Sequence, residues 1–164
     1  MHDGIREYCK GAIALHAGIS GKVLEVGAFD VNGTIRDQFT DKIRFPEYVG
    51  VDMREGPGVD FVMDANNLEF PDSSFDALLC CDMIEHDARF WESAREFHRV
   101  LRPGGFAIVT AASLTMPPHE YPYDYWRFTT DGIRALGESA GFEVLDTSWY
   151  MGNRFVMATW HKAK

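Results

Sequence analysis

The chain lacks three features that would place it in other classes of protein. It has no apolar run near the ~20 residues that a membrane-spanning helix needs, and residues 1–4 resemble no signal peptide. It also lacks a basic surface, since 25 acidic residues against 16 basic ones give a net charge of −9. The resulting acidic surface repels phosphate backbones. We therefore expect a cytoplasmic protein whose partners are neither membranes nor nucleic acids.

Cysteine is scarce, and its placement excludes a disulfide framework. Cys80 and Cys81 are neighbours on a predicted strand and point to opposite faces, whereas Cys9 lies far away in the sequence. This pattern favours a reducing compartment. No pair of cysteines has the CxxC spacing of metal ligands, so no metal site is expected from the sequence.

Apolar runs that alternate with helical periodicities predict a single α/β domain over residues 1–164. The predicted helices cover residues 3–18 (within an N-terminal segment 1–20), 33–40, a stretch that Asp87 caps, and 130–140; the predicted strands cover 22–26, 48–52, 60–63, 75–81, 106–110, 142–150 and 154–161. Met151-Gly152-Asn153 indicates a hairpin between the last two strands. The segment 112–129 is predicted to be a functional loop, because it is long and its five aromatic residues argue against disorder.

The first predicted strand is followed by a glycine turn that indicates a nucleotide site. Gly27 permits a tight turn at the end of the buried run 23–26. A dinucleotide would need a second glycine close to its phosphates, but Phe29 stands there and Asp30 follows. Carboxylates at Glu25 and Asp30 repel phosphates and attract cations. The turn therefore favours S-adenosylmethionine, which carries an ammonium and a sulfonium, over a nicotinamide dinucleotide.

Acidic residues also follow the second and third predicted strands. Asp52 ends the second strand, where an acid accepts hydrogen bonds from ribose hydroxyls in nucleotide-binding sheets. Asp64 lies at the end of the third strand and has the chemistry to accept a hydrogen bond from an adenine amino group. The alternatives are a turn aspartate at position 52 and an Asx turn between Asp64 and Asn66.

Six motifs, in this order and spacing, resemble class I S-adenosylmethionine-dependent methyltransferases, especially the small type 11 bacterial group. They are Val23-Leu24-Glu25-Val26-Gly27, Val49-Gly50-Val51-Asp52, Asp64-Ala65, Phe75-Asp76, Ile84-Glu85-His86 and Arg99-Val100-Leu101-Arg102-Pro103-Gly104-Gly105. The resemblance implies a Rossmann-like fold with a seven-stranded, mostly parallel sheet, a C-terminal antiparallel hairpin and helices on both faces. It also implies S-adenosyl-L-methionine as cofactor.

The resemblance further implies which residues contact the cofactor. The implied contacts are Glu25 and the Gly27-Ala28-Phe29 turn at the amino-acid end, Asp52 at the ribose, Met53, Asp64 and Ala65 at the adenine, and Asp82 and Met83 near the sulfonium. Phe29 departs from the family pattern, which usually has a second glycine at this position.

The acceptor side is predicted to involve the loop 112–129. A base assists methylation of a hydroxyl or a protonated amine, and the candidate catalytic residues are His119, His86 and Tyr123. Candidate substrate contacts are Tyr121, Asp124 and Arg127. The segment 121–129 also resembles one in small bacterial methyltransferases that act near sugar or surface-glycan pathways.

These acceptor-side residues also have structural interpretations. A lone histidine in a loop, such as His119, is more often a surface residue, and His86 is equally typical of a residue that orients a helix start. The loop aromatics are compatible with a small core that holds the loop to the sheet. Arg127 is compatible with an ion pair to Asp124.

Three functions remain open. The favoured one is methyl transfer to a small-molecule acceptor, by O- or N-methylation. The second is a module that binds the cofactor without catalysis and acts as a regulatory partner. The third is a nicotinamide oxidoreductase, which Phe29 and Asp30 oppose. The oligomeric state is not readable from the sequence.

Overall fold

A computed structural model describes residues 3–16, 18, 20–31, 33–36, 45–119 and 122–164. Its helices are α1 (Asp3–Leu15), α2 (Phe90–Val100) and α3 (Thr130–Ser139), with a short 3-10 helix at Ile84–His86; its strands are β1 (Lys22–Val26), β2 (Glu47–Asp52), β3 (Phe61–Val62), β4 (Phe75–Cys81), β5 (Leu101–Ala112), β6 (Glu143–Tyr150) and β7 (Phe155–His161). None of the described helices combines the length and the apolar character that crossing a membrane requires.

The strands form one seven-stranded sheet in the order β3-β2-β1-β4-β5-β7-β6. The strands β1 to β5 pair in parallel, and β7 pairs antiparallel with both β5 and β6. The predicted mostly parallel sheet with an antiparallel hairpin is confirmed. The strand order reverses between β1 and β4, and ligands of such sheets bind in the crevice outside the carboxyl ends of the strands at this point.

Helices cover both faces of the sheet, as expected. One face carries α1, whose apolar residues pack against Val23 of β1 and Phe106 of β5; they are Ile5, Cys9, Ala12 and Ile13. The opposite face carries α2 and α3, whose Phe97 and Ile133 belong to the same buried cluster as Leu24. Neighbouring residues of β1 therefore enter different cores, as the two-residue period of a strand requires.

Strand β5 is longer than predicted at both ends. It begins at Leu101, immediately after α2, and ends at Ala112 instead of Thr110. Leu101 is buried and pairs with Phe75, and an irregularity in the register between Phe75 and Ala77 accommodates the turn that contains Gly104 at φ +85°. The Pro-Gly-Gly sequence thus forms a bulge within the strand instead of a connection before it. The loop that follows consequently starts at residue 113.

Two of the predicted helices have different outcomes. The prediction that Asp87 caps α2 is wrong, because the helix begins after Arg89 without a side-chain cap. Asp87 instead accepts hydrogen bonds from the Arg89 amide at 2.8 Å and from the hydroxyl of Ser93 at 2.6 Å, so it organises the turn before the helix. The predicted helix over residues 33–40 lies largely outside the described residues.

Candidate active site

A cavity of about 850 Å³ opens at the carboxyl ends of β1, β2 and β4, next to the reversal in strand order. Its volume is that of a typical small-molecule site. Both the predicted cofactor residues and the predicted catalytic residues line it: Glu25, Gly27, Ala28, Phe29, Asp52, Met53, Asp64, Ala65, Asp82, Met83, His86, His119 and Tyr123. The fold therefore brings together residues that the sequence places at separate strand ends.

The turn after β1 is held against β2 by its backbone. The amides of Gly27 and Ala28 both donate to the carbonyl oxygen of Val51, at 2.9 and 3.0 Å. Gly27 has a φ of +80°, and a Cβ there would lie 2.7 Å from the Met83 side chain. Only glycine fits this position without displacing Met83.

The bulk of Phe29 is accommodated beside the turn. Its ring lies 4.8 Å from the guanidinium of Arg54, and a Cβ on Gly56 would come within 2.1 Å of it. The ring thus packs against the loop between β2 and β3, where the absence of a side chain at Gly56 leaves room for it. Phe29 replaces the family's second glycine in this way without closing the cavity.

Glu25 is a buried carboxyl at the centre of the site, with 6% of its surface exposed. Burial raises its pKa to about 7, although the hydroxyl of Tyr48 donates to Oε2 at 2.8 Å and Arg36 also favours the charged form. Such a group gains full charge when a cation binds beside it. Its position on the cavity wall suits an ammonium group. The contact of Tyr48 with Glu25 was not predicted from the sequence. The position of Tyr48 as the second residue of β2, the strand beside β1, was the only feature that pointed to it.

Asp52 and Asp64 occupy different environments at the rim. Asp52 has only 11% of its side chain exposed, and its two oxygens accept from the amides of Phe29 at 3.3 Å and Arg54 at 3.1 Å. Asp64 is 62% exposed, and one of its oxygens accepts from the Asn66 amide at 2.8 Å. The Asx turn proposed for Asp64 is therefore present.

Asp82 directly follows β4 and lines the cavity, and its backbone geometry is strained. Its φ of +53° is uncommon for a residue other than glycine. The amide of Asp82 donates to the Thr110 carbonyl at 3.0 Å, and the Thr110 hydroxyl donates to Oδ1 at 2.7 Å. These bonds hold the strained turn, and strain of this kind is typical of functional sites.

The opposite wall of the cavity contains His86 and His119, and the buried side chain of Glu85 lies behind them. The Nε2 atoms of His86 and His119 lie 4.0 and 3.8 Å from Oε1 of Glu85, and the two rings meet edge to face at 4.9 Å. Burial lowers the pKa of His86. Glu85 is completely buried, and burial together with the charge of Asp82 raises its pKa well above the usual range.

No role was predicted for Glu85, although the sequence carried a signal for it. A charged residue four positions after an apolar strand end and directly before His86 is unusual in a buried segment. Neither of its carboxylate oxygens has a hydrogen-bond partner among the described residues.

The loop over residues 113–129 divides into two parts. Its C-terminal part packs on α2, since the Trp126 and Phe128 rings lie 5.3 and 5.0 Å from the ring of Phe90. Tyr123 and Tyr125 instead remain 62% and 47% exposed and line the cavity. The sequence left a small core and a cavity wall as alternatives for the loop aromatics. Trp126 and Phe128 form the core, and Tyr123 and Tyr125 form part of the wall.

Asp124 and Arg127 do not line the main cavity. Arg127 pairs with Asp124, with Nη2 2.7 Å from Oδ2, and also donates to the Met116 carbonyl at 3.1 Å. The hydrogen bonds from Arg127 hold the pKa of Asp124 well below its usual range. Both side chains therefore hold the loop in shape. Tyr121, the remaining predicted substrate contact, lies outside the described residues.

Comparison with known proteins identifies the family. A family model described as a methyltransferase domain, of type 11, matches residues 9–109, which is more than half of the chain. The chain belongs to this family of S-adenosylmethionine-dependent methyltransferases. This result agrees with the resemblance found in the sequence and disfavours a nicotinamide oxidoreductase.

One curated relative matches most of the methyltransferase chain. It is the fatty-acid O-methyltransferase of Mycolicibacterium smegmatis, which is 35% identical over 147 residues, or 80% of this chain and 52% of the relative. The chain spans about half or less of the length of the curated relatives that it matches.

Solved structures share the fold at low sequence identity. The 1,6-didemethyltoxoflavin-N1-methyltransferase of Burkholderia thailandensis, solved with 1,6-didemethyltoxoflavin and S-adenosylhomocysteine, has a TM-score of 0.77 at 20% identity, over 98% of this chain and 79% of that one. The [4+2]-cyclase SpnF has a TM-score of 0.76 at 15% identity, over 96% and 80%. Because one of these folds is named as a cyclase, the fold alone does not establish methyl transfer.

Proposed function

We propose that this methyltransferase-family protein binds S-adenosylmethionine across the ends of β1, β2 and β4 and methylates a small-molecule acceptor. The observation that carries the proposal is the chemistry of the cavity wall. Glu25 presents a buried carboxyl with a pKa of about 7, and Asp52 presents a mostly buried carboxylate at the end of the next strand. Buried acids of this kind fit a cationic amino-acid group and a pair of ribose hydroxyls.

The remaining cofactor residues support the same assignment. Gly27 lets the backbone of the turn approach a ligand closely. Met53 is 64% exposed at the rim, where its thioether fits the face of an adenine ring. Asp64 and Ala65 are assigned to the adenine edge, and Asp82 and Met83 to the reacting end.

When bound, S-adenosylmethionine supplies a methyl group on a positively charged sulfur. The protein must then hold an acceptor atom in line, exclude water and receive a proton. Tyr123 and Tyr125 offer aromatic faces and hydroxyls to the acceptor. We assign the loop over residues 113–129 as a lid over this part of the cavity.

His86 and His119 are the candidate proton acceptors. Nδ1 of His86 contacts the backbone carbonyl of Tyr123, and Nδ1 of His119 lies 3.3 Å from the carbonyl of Pro117. A carbonyl can only accept a hydrogen bond, so these contacts favour a proton on each Nδ1. The free lone pair of each ring is then on Nε2, the atom that would take a proton from a hydroxyl or amine acceptor.

The acceptor is proposed to carry a hydroxyl, carboxyl or amine, which means O- or N-methylation. The aromatic wall of the cavity fits a molecule with apolar surface, and the relative from M. smegmatis is named for a fatty acid. The resemblance of segment 121–129 to proteins near glycan pathways makes sugars a second class to test. We assign the protein to the cytoplasm, without a nucleic-acid or membrane partner.

The first experiment tests the cofactor. S-adenosylhomocysteine at saturation is expected to raise the melting temperature, because a ligand that binds only the native state stabilises it, and NAD at the same concentration should not. Methyl-labelled S-adenosylmethionine would then be incubated with panels of fatty acids, phenols and sugars. No shift with S-adenosylhomocysteine would contradict the proposal.

The second experiment tests the acceptor wall. Tyr123→Ala should reduce methyl transfer severalfold or more while the affinity for S-adenosylhomocysteine stays within a few-fold, since Tyr123 lies on the loop and not at a strand end. Leu145→Ala, a change of another exposed apolar residue, on β6, is the control. A variant with full activity on the true acceptor would contradict the assignment.

A second candidate function is a module that binds the cofactor but does not transfer its methyl group. The observation that supports this second candidate is that a cyclase shares the fold. Binding of S-adenosylhomocysteine without label transfer to any acceptor class, including acceptors that saturate the cavity, would support this alternative.

A further inference from the structure

The proposed methyl transfer assigns no role to the buried carboxyl group of Glu85. Its side chain is fully buried, and neither oxygen has a hydrogen-bond partner in the part of the chain that the structure describes. The amides of Glu85 itself and of Ala112 lower its pKa but form no hydrogen bond of normal geometry. Protonation would remove the charge but would still leave the group unpartnered, and such burial is costly.

The two imidazoles that face Glu85 are oriented by their other nitrogens. Nδ1 of His86 is engaged by the Tyr123 carbonyl, and Nδ1 of His119 lies 3.3 Å from the Pro117 carbonyl and 3.6 Å from Oδ2 of Asp124. Histidines that bind metals almost always donate one ring N–H to a carbonyl or carboxylate in this manner. With the proton on Nδ1, the Nε2 lone pair of each ring is free, and both Nε2 atoms lie within 4.0 Å of Oε1 of Glu85.

The distances are too long for hydrogen bonds and suitable for an ion between the groups. Nε2 of His86 and of His119 lie 4.0 and 3.8 Å from Oε1 of Glu85, and one ligand atom from each of the three residues lies within 4.8 Å of the others. Tetrahedral zinc with bonds of about 2.0–2.2 Å separates its ligand atoms by roughly 3.3–3.5 Å. Each Nε2–Oε1 distance must shorten by about 0.5 Å to reach that geometry, and the most widely separated pair of ligand atoms, which lies within 4.8 Å, by at most about 1.5 Å.

The surrounding charges favour a cation. Asp82 and Asp124 bring two further carboxylates near the cluster, and their negative charge is opposed by the guanidinium of Arg127. Arg127 is itself paired with Asp124, which reduces its repulsion of a cation at Glu85. A divalent ion would therefore gain from both Glu85 and Asp82.

We propose that Glu85, His86 and His119 bind a divalent first-row transition-metal ion of the zinc type. Two imidazole nitrogens and one carboxylate oxygen suit zinc and its neighbours better than magnesium or calcium, which prefer oxygen ligands. Three protein ligands leave one coordination position open, as in catalytic zinc sites. The imidazoles of His86 and His119 line the cavity, so this position faces the acceptor region.

An ion at this position deepens the assignment of the acceptor wall and in that respect rests on the proposed methyl transfer. An acceptor hydroxyl or carboxylate would fill the open position, and the ion would favour its deprotonated form. The Nε2 atoms would then be ligands instead of bases. Binding of the ion itself does not depend on methyl transfer.

The test measures metal binding without cofactor or acceptor. Protein stripped with a chelator would be titrated with Zn²⁺ against a chromophoric chelator, and with Co²⁺ while its visible d–d absorption is recorded. We expect one ion per chain. His119→Ala should weaken zinc binding at least tenfold, since even loss of a residue that supports a ligand costs 10–100-fold, and should change the cobalt spectrum. Glu85→Gln, which keeps the side-chain volume, should do the same.

The matched control is His161→Gln. His161 lies on β7 with its Nδ1 3.5 Å from a carboxylate oxygen of Glu143, which makes it a histidine–carboxylate pair that belongs to no three-ligand group among the described residues. This variant should bind zinc as the unchanged protein does. Absence of stoichiometric binding, or equal affinity in His119→Ala and His161→Gln, would overturn the site. Binding of S-adenosylhomocysteine to the metal-free protein reports on the proposed function separately.

Discussion

Replacing Glu25 with glutamine should stabilise the protein and weaken cofactor binding at the same time. The carboxyl is buried, and its pKa rises from an ordinary 4.5 to about 7, chiefly because burial disfavours its charge. Arg36 and the Tyr48 hydroxyl counteract this effect, whereas Asp30 and Asp60 add to it. Glutamine keeps the shape and can still accept the Tyr48 hydrogen bond, but it carries no charge to desolvate.

The magnitude follows from linkage. The folded pKa lies above the unfolded one, so the protonated carboxyl favours the fold and this contribution is lost as the pH rises toward 7 and above. With the two pKa values at 4.5 and about 7, ionisation of Glu25 costs about 1.4 kcal/mol of unfolding free energy at pH 5.5 and about 3 kcal/mol at pH 8. Glu25→Gln should recover up to these amounts, with the larger gain at pH 8.

Denaturant unfolding without cofactor at the two pH values measures the first effect, and calorimetry with S-adenosylhomocysteine at pH 8 measures the second. The variant should bind at least tenfold more weakly, because a charge-assisted contact is worth roughly 1.5–3 kcal/mol. Glu69→Gln, at an exposed position, is the control and should change neither quantity appreciably. A stability gain that is equal at both pH values, or unchanged affinity, would refute the reasoning.

Three further predictions address other residues. Asp52→Ala should lower the affinity for S-adenosylhomocysteine at least tenfold by calorimetry while the fold survives; unchanged affinity would mean that the ribose lies elsewhere. Gly27→Ala should lower both the melting temperature and the affinity for S-adenosylhomocysteine, because the added Cβ would lie 2.7 Å from Met83. Its control is Gly11→Ala, in open space on α1, which should stabilise the protein by about 0.5–1 kcal/mol. Arg127→Lys should reduce methyl transfer but keep cofactor affinity within a few-fold, since it loses the paired contact with Asp124; a large loss of affinity would instead connect this loop to the cofactor wall.

The clustering of the residues proposed for the cofactor could be predicted because these residues follow strand ends. In a parallel sheet the carboxyl ends meet at one edge, so Glu25, Asp52 and Asp82 had to lie near one another once β1, β2 and β4 were recognised. Strand periodicity and strand-end position both act over a few residues, and such short-range signals are readable from a single sequence.

The acceptor side could not be predicted in the same way because it depends on contacts between distant segments. Nothing local indicates that Tyr125 and Trp126 donate their amides to the Glu85 carbonyl, at 2.9 and 3.2 Å. The sequence left open whether Arg127 pairs with Asp124 or contacts a substrate, and the structure shows the pair. The start of β5 was predicted at residue 106 but lies at Leu101, for a similar reason: Leu101 joins the sheet by pairing with Phe75.

Glu85 connects the segment after β4 to the loop through two different parts of the residue. Its backbone carbonyl holds the loop by accepting from Tyr125 and Trp126, while its side chain faces the imidazoles of His86 and His119. The cofactor wall, by contrast, is fixed by bonds between strands, such as those from Gly27 to Val51. Changes in the loop should therefore alter which acceptor is methylated, and how well, without altering the cofactor contacts. A cation at Glu85 would stabilise the same connection, because it would join the segment after β4 to the loop through His119.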